Sequence, residues 1–210
     1  MDGAVRTRDP ARRERILLAA AHLVAANGYA GTNLADIGAA AGIGGTGIYR
    51  HFRNKAALAA ALLDRLLDQL VSDATAITAD ITDPEQALHA LVLDHLDAAR
   101  SDRELFLIYL RESAILPADD LRRIRGKMRR YVDEWVSVLA KLRPGASDGE
   151  LRTTIQAAIG ALQSMLSYDA RLPRGRLTEI LVAAAHAVLL STAAPEVDHL
   201  TGPSNASMTS

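Results

Sequence analysis

The sequence predicts an all-α fold. Three observations carry this. Apolar residues make up 49% of the 210 and aromatics only 4%, with Ala and Leu dominant. Those two lose little entropy in a helix, whereas sheets favour β-branched and aromatic side chains. Apolar positions recur at three- and four-residue spacing in run after run. Caps and breakers punctuate the runs, and no strand-like alternation rises above them.

The elements follow in order. Residues 1–9 are polar and irregular and read as a mobile basic arm. Pro10 suits a first turn, and Ile16, Leu17, Ala20, Leu23 and Val24 mark a helix that Asn27-Gly28 ends. Thr32 and Asn33 are cap candidates for a short helix over 34–41. Gly42 breaks it, and a third short helix is expected over 45–51. Asn54 caps a fourth, which carries Leu58, Leu62, Leu66 and Leu70 to about residue 76. Asp83-Pro84 opens a fifth. A sixth spans about 103–113 and a seventh about 119–142. The turn Pro144-Gly145-Ala146-Ser147-Asp148-Gly149 precedes an eighth over 150–169. Leu172-Pro173-Arg174-Gly175 interrupts the chain before a ninth over 177–191. Beyond Pro195 the Gly/Ser/Thr-rich composition predicts a disordered tail over 193–210. The expected division is a head over 10–53 and a body over 54–192.

Composition narrows the function. Residues 1–60 hold eight Lys/Arg against four Asp/Glu, and the remainder holds 16 against 21. A basic head on an acidic body suits a polyanion partner for the head, with chance clustering as the alternative. There is no cysteine, which excludes a disulfide, a thiolate metal site and a cysteine nucleophile and fits a cytoplasmic chain. The N-terminal residues lack a signal-peptide apolar core, and no membrane span is expected. The catalytic signatures Gly-x-Ser-x-Gly, phosphate loop and His-Glu-x-x-His are absent, so no enzyme is expected. His89 and His95 fall on different helix faces, so no metal pair is expected, and no cofactor.

The most informative segment is 34–52. Leu34 and Ile37 form one apolar edge. Ala41 is small where two helices must meet steeply, and Gly42 gives the backbone freedom to turn. Ile43 plugs the angle, and Ile48 and Phe52 continue the core. Gly44, Gly45, Thr46, Gly47, Tyr49, Arg50 and His51 remain outside. A short helix with a slim polar face fits the major groove.

Residues 12–60 resemble the DNA-binding domain of the TetR family of one-component regulators. The resemblance rests on Ile16, Ala20 and Leu23, then Asn27-Gly28-Tyr29, Thr32, Asp36-Ile37, Ala40-Ala41-Gly42-Ile43, Ile48-Tyr49-Arg50-His51-Phe52, and Lys55 followed by Leu58. It implies a helix-turn-helix regulator of double-stranded DNA, acting as a repressor that a small apolar or amphipathic effector releases. It also implies phosphate contacts from Thr32, Asn33, Tyr49, His51 and Lys55, with Gly45, Thr46 and Gly47 facing base edges. Gly44 and Gly45 stand where the family often carries Ser and a longer polar residue. Three glycines in four positions weaken the helix start and leave base reading to Thr46 and Arg50, with a contact to phosphate alone as the alternative for Arg50. Tyr49 packing between helices and His51 capping a helix end are the alternatives at those positions. A helical ligand-binding or interaction protein without specific DNA binding is the alternative for the whole chain.

The ninth helix is apolar nearly all round, which requires burial on two sides. The resemblance implies a homodimer in which the last two helices pair with their copies, placing Ile155, Ala158, Ile159, Leu162, Ile180, Leu181, Ala184 and Val188 at the interface. It also implies an apolar effector cavity lined by Leu91, His95, Phe106, Tyr109, Met128, Tyr131, Trp135 and Met165, each of which has ordinary core packing as its alternative. The run 121–130 carries six cations. It reads as a solvated face paired with Asp119, Asp120 and Glu134, or as a dock for an anionic effector such as an acyl-coenzyme A.

Overall fold

The computed structural model describes residues 10–112 and 116–191, and gives the backbone alone at Pro10, Gly45, Thr46 and Glu112. The arm, the tail and the Thr46 side chain lie outside the described residues. The chain folds as α1 (Pro10–Asn27), α2 (Leu34–Ala40), a 3-10 helix (Gly45–Arg50), α3 (Lys55–Asp80), α4 (Pro84–Ser101), α5 (Arg103–Glu112), α6 (Ala118–Leu142), α7 (Asp148–Gln163), a 3-10 turn (Ser164–Leu166) and α8 (Arg174–Leu190). Among the described residues there is no strand, and no helix is long and apolar enough to cross a membrane.

The local signals explain the boundaries. Gly28 ends α1 at φ +71° and Gly42 turns the chain at φ +69°, backbone that other residues adopt at a cost. Asn33, not Thr32, caps α2 by accepting from Asp36 N–H at 2.9 Å. Asn54 and Asp83 cap α3 and α4 in the same way, each at 2.8 Å. Ser147 and Glu150 form a capping box at α7, satisfying two otherwise orphaned donors.

Two expectations need correction and one is refined. The third short helix forms where expected, as a 3-10 helix. The Gly47 N–H bonds to Gly44 C=O at 3.2 Å and His51 N–H to Ile48 C=O at 2.9 Å, the i to i+3 pattern of a tighter helix. Glycine supplies little propensity to hold an α-helix there. α3 continues to Asp80 rather than 76, since nothing between breaks it and Thr75 and Thr78 bond to Glu134 of α6 at 2.9 and 2.8 Å. α7 stops at Gln163 and tightens into the 3-10 turn instead of running to 169. There the Ser164 hydroxyl donates back to Ala161 C=O at 2.7 Å, a local bond that competes with continued helix.

The head packs α1, α2 and the 3-10 helix around Ile16, Ala20, Val24, Ile37, Ile48 and Phe52, all 3% exposed or less. Two glycines set how closely the pieces meet. A Cβ at Gly38 would stand 3.3 Å from Ile43 C=O and from Ile48 Cβ, and one at Gly47 would stand 2.6 Å from Ile43 Cγ2. α3 then leaves the head and runs along α6, its main neighbour, while α7 and α8 pair with each other.

Gly47→Ala is therefore expected to destabilise the chain by about 1–3 kcal/mol in urea denaturation, the usual cost of overpacking. Gly44→Ala is the control, because a Cβ there meets nothing within 4 Å. Equal stability of the two variants would contradict the packing role of Gly47.

Candidate DNA-binding face and effector core

The outward side of the helix-turn-helix presents few side chains. Ile48 and Phe52 anchor the 3-10 helix from below, at 0% and 3% exposure, while Tyr49 stands 53% exposed beside the exposed Arg50. His51 follows, half-buried, at the C-terminal cap position. Gly44 is exposed and Gly45 begins the helix. Asn33 is exposed, but its amide also donates to Asp36 Oδ2 at 2.6 Å, so its first task is to hold the start of α2.

Two of the expected contact residues are placed differently, and Lys55 keeps its expected position at a helix start. Thr32 is buried, and its hydroxyl donates to Gly28 C=O at 2.9 Å and reaches Leu23 C=O at 3.3 Å. Its N–H is spent on Tyr29 C=O at 3.3 Å. With both donors committed, Thr32 braces the loop between α1 and α2 and has no hydrogen left for a phosphate. Gly47 faces Ile43 rather than outward, as its missing Cβ shows. Lys55 sits 4.2 Å above the Tyr29 ring and donates to Ala30 C=O at 3.2 Å. This cation–π contact places the charge at the start of α3.

α3 joins head and body through two adjacent residues. Asp64 receives Arg123 of α6 through Nε at 2.9 Å and Nη2 at 2.6 Å, and Lys127 through Nζ at 3.1 Å. Lys127 also reaches Asp68 at 2.7 Å, and Arg123 reaches Asp120 at 2.8 Å. Burial opposes ionisation of Asp64, but hydrogen bonds from Arg123 and Lys127 outweigh it and hold its carboxyl below the usual range. The next residue, Arg65, pairs with Glu14 of α1. One turn of α3 is thus bolted to the body on one side and to the head on another. Half of the basic run 122–130 is consumed here and by the Arg122–Asp119 pair. Glu134, expected to pair with that run, instead accepts from α3 hydroxyls.

The body interior is filled rather than open. Leu91, His95, Phe106, Tyr131 and Trp135 expose 2% or less, and a side chain without accessible surface lines no space large enough for water. His95 is the hub. Its Nδ1 lies 3.0 Å from Tyr131 Oη and its Nε2 3.2 Å from Gln163 Nε2. Phe106 and Trp135 meet its ring edge-on at centroid distances of 5.4 and 6.3 Å. The expected cavity is therefore corrected to a packed aromatic cluster joining α4, α5, α6 and α7. Tyr109, Met128 and Met165 are half-buried at its periphery. Among the described residues, Asp94 Oδ2 is buried without a hydrogen-bond partner, and the buried Trp135 Nε1 has only the Tyr131 hydroxyl, without good hydrogen-bond geometry. Burial lowers the His95 pKa to about 4. Burial, then Asp73 and Asp97, pushes Asp94 up to about 6.

The last two helices correct the expected interface. Ile155, Ala158, Ile159 and Leu162 are 4% exposed or less and Leu181 is 6% exposed, so they face their own core and have little surface for a partner. The branched residues of α7 turn inward and leave Thr153, Gln156, Ala157, Gly160 and Ser164 outside. On α8 the exposed line is Ile180, Ala183, Ala187 and Leu190, with Ala184 and Val188 half-buried beside it. His186 of α8 stacks on His89 of α4, with Nε2 and Nδ1 2.9 Å apart. Burial first, then the His89 charge, lowers the His186 pKa. These residues are 97 apart in sequence, so no spacing pattern announces the pair. Among the described residues no group of three or more metal-ligating side chains occurs.

A family model described as bacterial regulatory proteins of the tetR family matches residues 16–62. A second, described as a tetracyclin repressor-like C-terminal domain, matches residues 82–193. The chain belongs to the TetR family. A similar curated protein is the HTH-type transcriptional repressor KstR2 of Rhodococcus jostii, 30% identical over 149 residues, covering 70% of this chain and 72% of the relative. The HTH-type transcriptional activator FasR of Mycolicibacterium smegmatis is 32% identical over 93 residues, covering 44% and 42%. Among solved structures, AibR in complex with isovaleryl coenzyme A and operator DNA superimposes with a TM-score of 0.67 at 23% identity, covering 82% of this chain and 97% of that one. The TetR-family chain is accordingly a DNA-binding, ligand-responsive transcription regulator.

Two expectations follow for this regulator. Asp64→Asn and Arg123→Ala are each expected to destabilise it by about 1–2 kcal/mol, with a coupling near 1 kcal/mol in a double-mutant cycle, since the pair is bidentate and partly buried. Additive losses would show that the pair does not act as a unit. The second concerns pH. Unfolded His95 takes a proton below its ordinary 6.5, while the folded form resists to about 4, so its burial costs stability as pH falls through that window. Asp94 does the reverse, because the cost of its buried charge is relieved as pH falls from about 6 toward 3.8. The two nearly cancel in wild type. Asp94→Asn should stabilise the chain at neutral pH and unmask an acid lability of about 1.4 kcal/mol per pH unit below 6, read from urea titrations. An unchanged pH profile would overturn this account.

Proposed function

We propose that this TetR-family chain is a homodimeric repressor, acting in the cytoplasm and not as an enzyme, that leaves its operator when an apolar or amphipathic effector enters the body. The observation that carries the DNA-binding half is the exposed Tyr49–Arg50 pair standing on a 3-10 helix whose underside, Ile48 and Phe52, is buried. A rigid base with two free side chains is what a groove reader needs. Tyr49, Arg50 and His51 contact DNA, with Lys55 at the neighbouring phosphate. Gly44 and Gly45 let the backbone approach closely. Arg50, alone or with Thr46, supplies base discrimination. The head extends over 10–53 and the body over 54–192. Two copies pair through the outward residues of α7 and α8, which sets the spacing of the two heads on a pseudo-palindromic site.

The effector half follows from how α6 is tied. α6 carries Tyr131 and Trp135 into the core and Arg123 and Lys127 onto α3. An effector that parts the aromatic cluster must displace α6, and that displacement pulls on Asp64. Arg65 and Glu14 pass it to α1. Such a ligand shifts the population between two head spacings only to the extent that it binds them unequally. The isovaleryl coenzyme A bound by AibR supports an acyl thioester as the effector class, and the repressor role of KstR2 supports repression.

The test is selection of a binding site from a random DNA pool, followed by fluorescence anisotropy. Tyr49→Ala and Arg50→Ala are each expected to weaken specific binding by about tenfold or more. The solution mass should stay that of a dimer. Unaltered binding in both variants would refute the contact assignment. Failure to enrich any sequence would turn the reading toward a helical ligand-binding protein.

A further inference from the structure

The rim of the body carries a cleft separate from the packed interior. It lies between α5 and the segment that joins α7 to α8, and its volume is about 520 Å³, within the usual range for small-molecule sites. Arg103 and Arg111 come from α5 and Arg171 from the joining segment, and Met165, Tyr168 and Leu172 supply apolar surface. Arg103 builds the floor, donating to Leu166 C=O at 2.9 Å and to Glu104 at 3.1 Å. Neither Arg111 nor the Arg171 guanidinium has a carboxylate partner among the described residues. The carboxylate in the lining, Asp169, accepts the Arg171 N–H at 3.1 Å and holds that residue at φ +49°. Beside these cations Tyr168 is 72% and Leu172 43% exposed, large apolar surfaces that no described residue covers.

The basic run of α6 has less charge to offer, because Arg122, Arg123 and Lys127 already face carboxylates. The cleft instead combines two guanidinium groups without a carboxylate partner among the described residues, a fixed floor and an exposed apolar wall. α5, which forms one side of it, also packs on α1 of the head.

We propose that this cleft binds an anionic amphiphile, its carboxylate or phosphate head held by Arg111 and Arg171 and its short apolar chain laid along Met165, Tyr168 and Leu172. The proposal rests on the effector reading above and moves the docking of the charged head from α6 to this cleft. Occupancy ties the α7–α8 segment to α5, and through α5 to the head.

Isothermal titration of the full chain with octanoate, octanoyl-coenzyme A and free coenzyme A tests it. The two amphiphiles distinguish a carboxylate head from a phosphate one. At least one of them is expected to bind saturably. Arg111→Ala/Arg171→Ala should weaken that binding by about tenfold or more, whereas Arg122→Ala/Arg130→Ala leaves it unchanged. Arg111→Gln alone provides a milder variant, and thermal melts check that each remains folded. Equal affinity in wild type and Arg111→Ala/Arg171→Ala overturns the proposal, as does binding of neither amphiphile. Operator binding separates the two readings. If octanoyl-coenzyme A still releases DNA from Arg111→Ala/Arg171→Ala, the cleft fails and effector control stands. If it binds in the cleft without changing operator affinity, the cleft stands and effector control by this ligand fails.

Discussion

The carboxylate of Asp64 is the point on which the arrangement of this regulator depends. It lies on the one helix that belongs to both halves of the molecule. It is met by Arg123 and Lys127 from α6, the helix that also carries Tyr131 and Trp135 into the aromatic cluster. Partly buried charges stay ionised only when their partners offset desolvation, and here two cations do so. The neighbouring Arg65–Glu14 pair is more exposed and correspondingly weaker. These pairs therefore tie the connector more firmly to the body than to the head, an asymmetry that suits the proposed mechanism.

The packed core bears on how sensing works. A ring cluster centred on a neutral, buried His95 leaves no room for a ligand without rearrangement. Among the described residues, the poorly satisfied Trp135 N–H and the Asp94 oxygen are the buried polar atoms with most to gain from one. Close-packed interiors respond to insertion by shifting whole helices rather than by deforming smoothly. In the proposed mechanism, the ion pairs from α6 through Asp64, and from Arg65 to Glu14 of α1, would carry such a shift to the head.

Much of the molecule was legible in the sequence. The number and order of helices follow from periodicity and from Asn54, Asp83-Pro84 and Ser147. The helix-turn-helix follows from Gly42, Ile37, Ile48 and Phe52. The site was less legible. Thr32 looks identical as a phosphate ligand and as a loop brace, and only the carbonyls of Leu23 and Gly28 separate the two. Gly44, Gly45 and Gly47 appear equivalent in a string, yet Gly47 is forced by Ile43 while Gly44 faces open space.

What the sequence determined by itself is the element plan, the polar outer face of the recognition segment and the family motif, because caps, turns and 3.6-residue periodicity are encoded within a few neighbouring positions. What only the tertiary structure decided is which face of each apolar helix turns inward. On α7 the branched residues took the core and left Ala157 and Gly160 outside. Across helices, His89 met His186 and Asp64 met Arg123. The reason is physical: on a helix apolar nearly all round, side-chain type does not choose between two buried directions, and contacts between residues 59 or 97 apart are set by how whole helices pack.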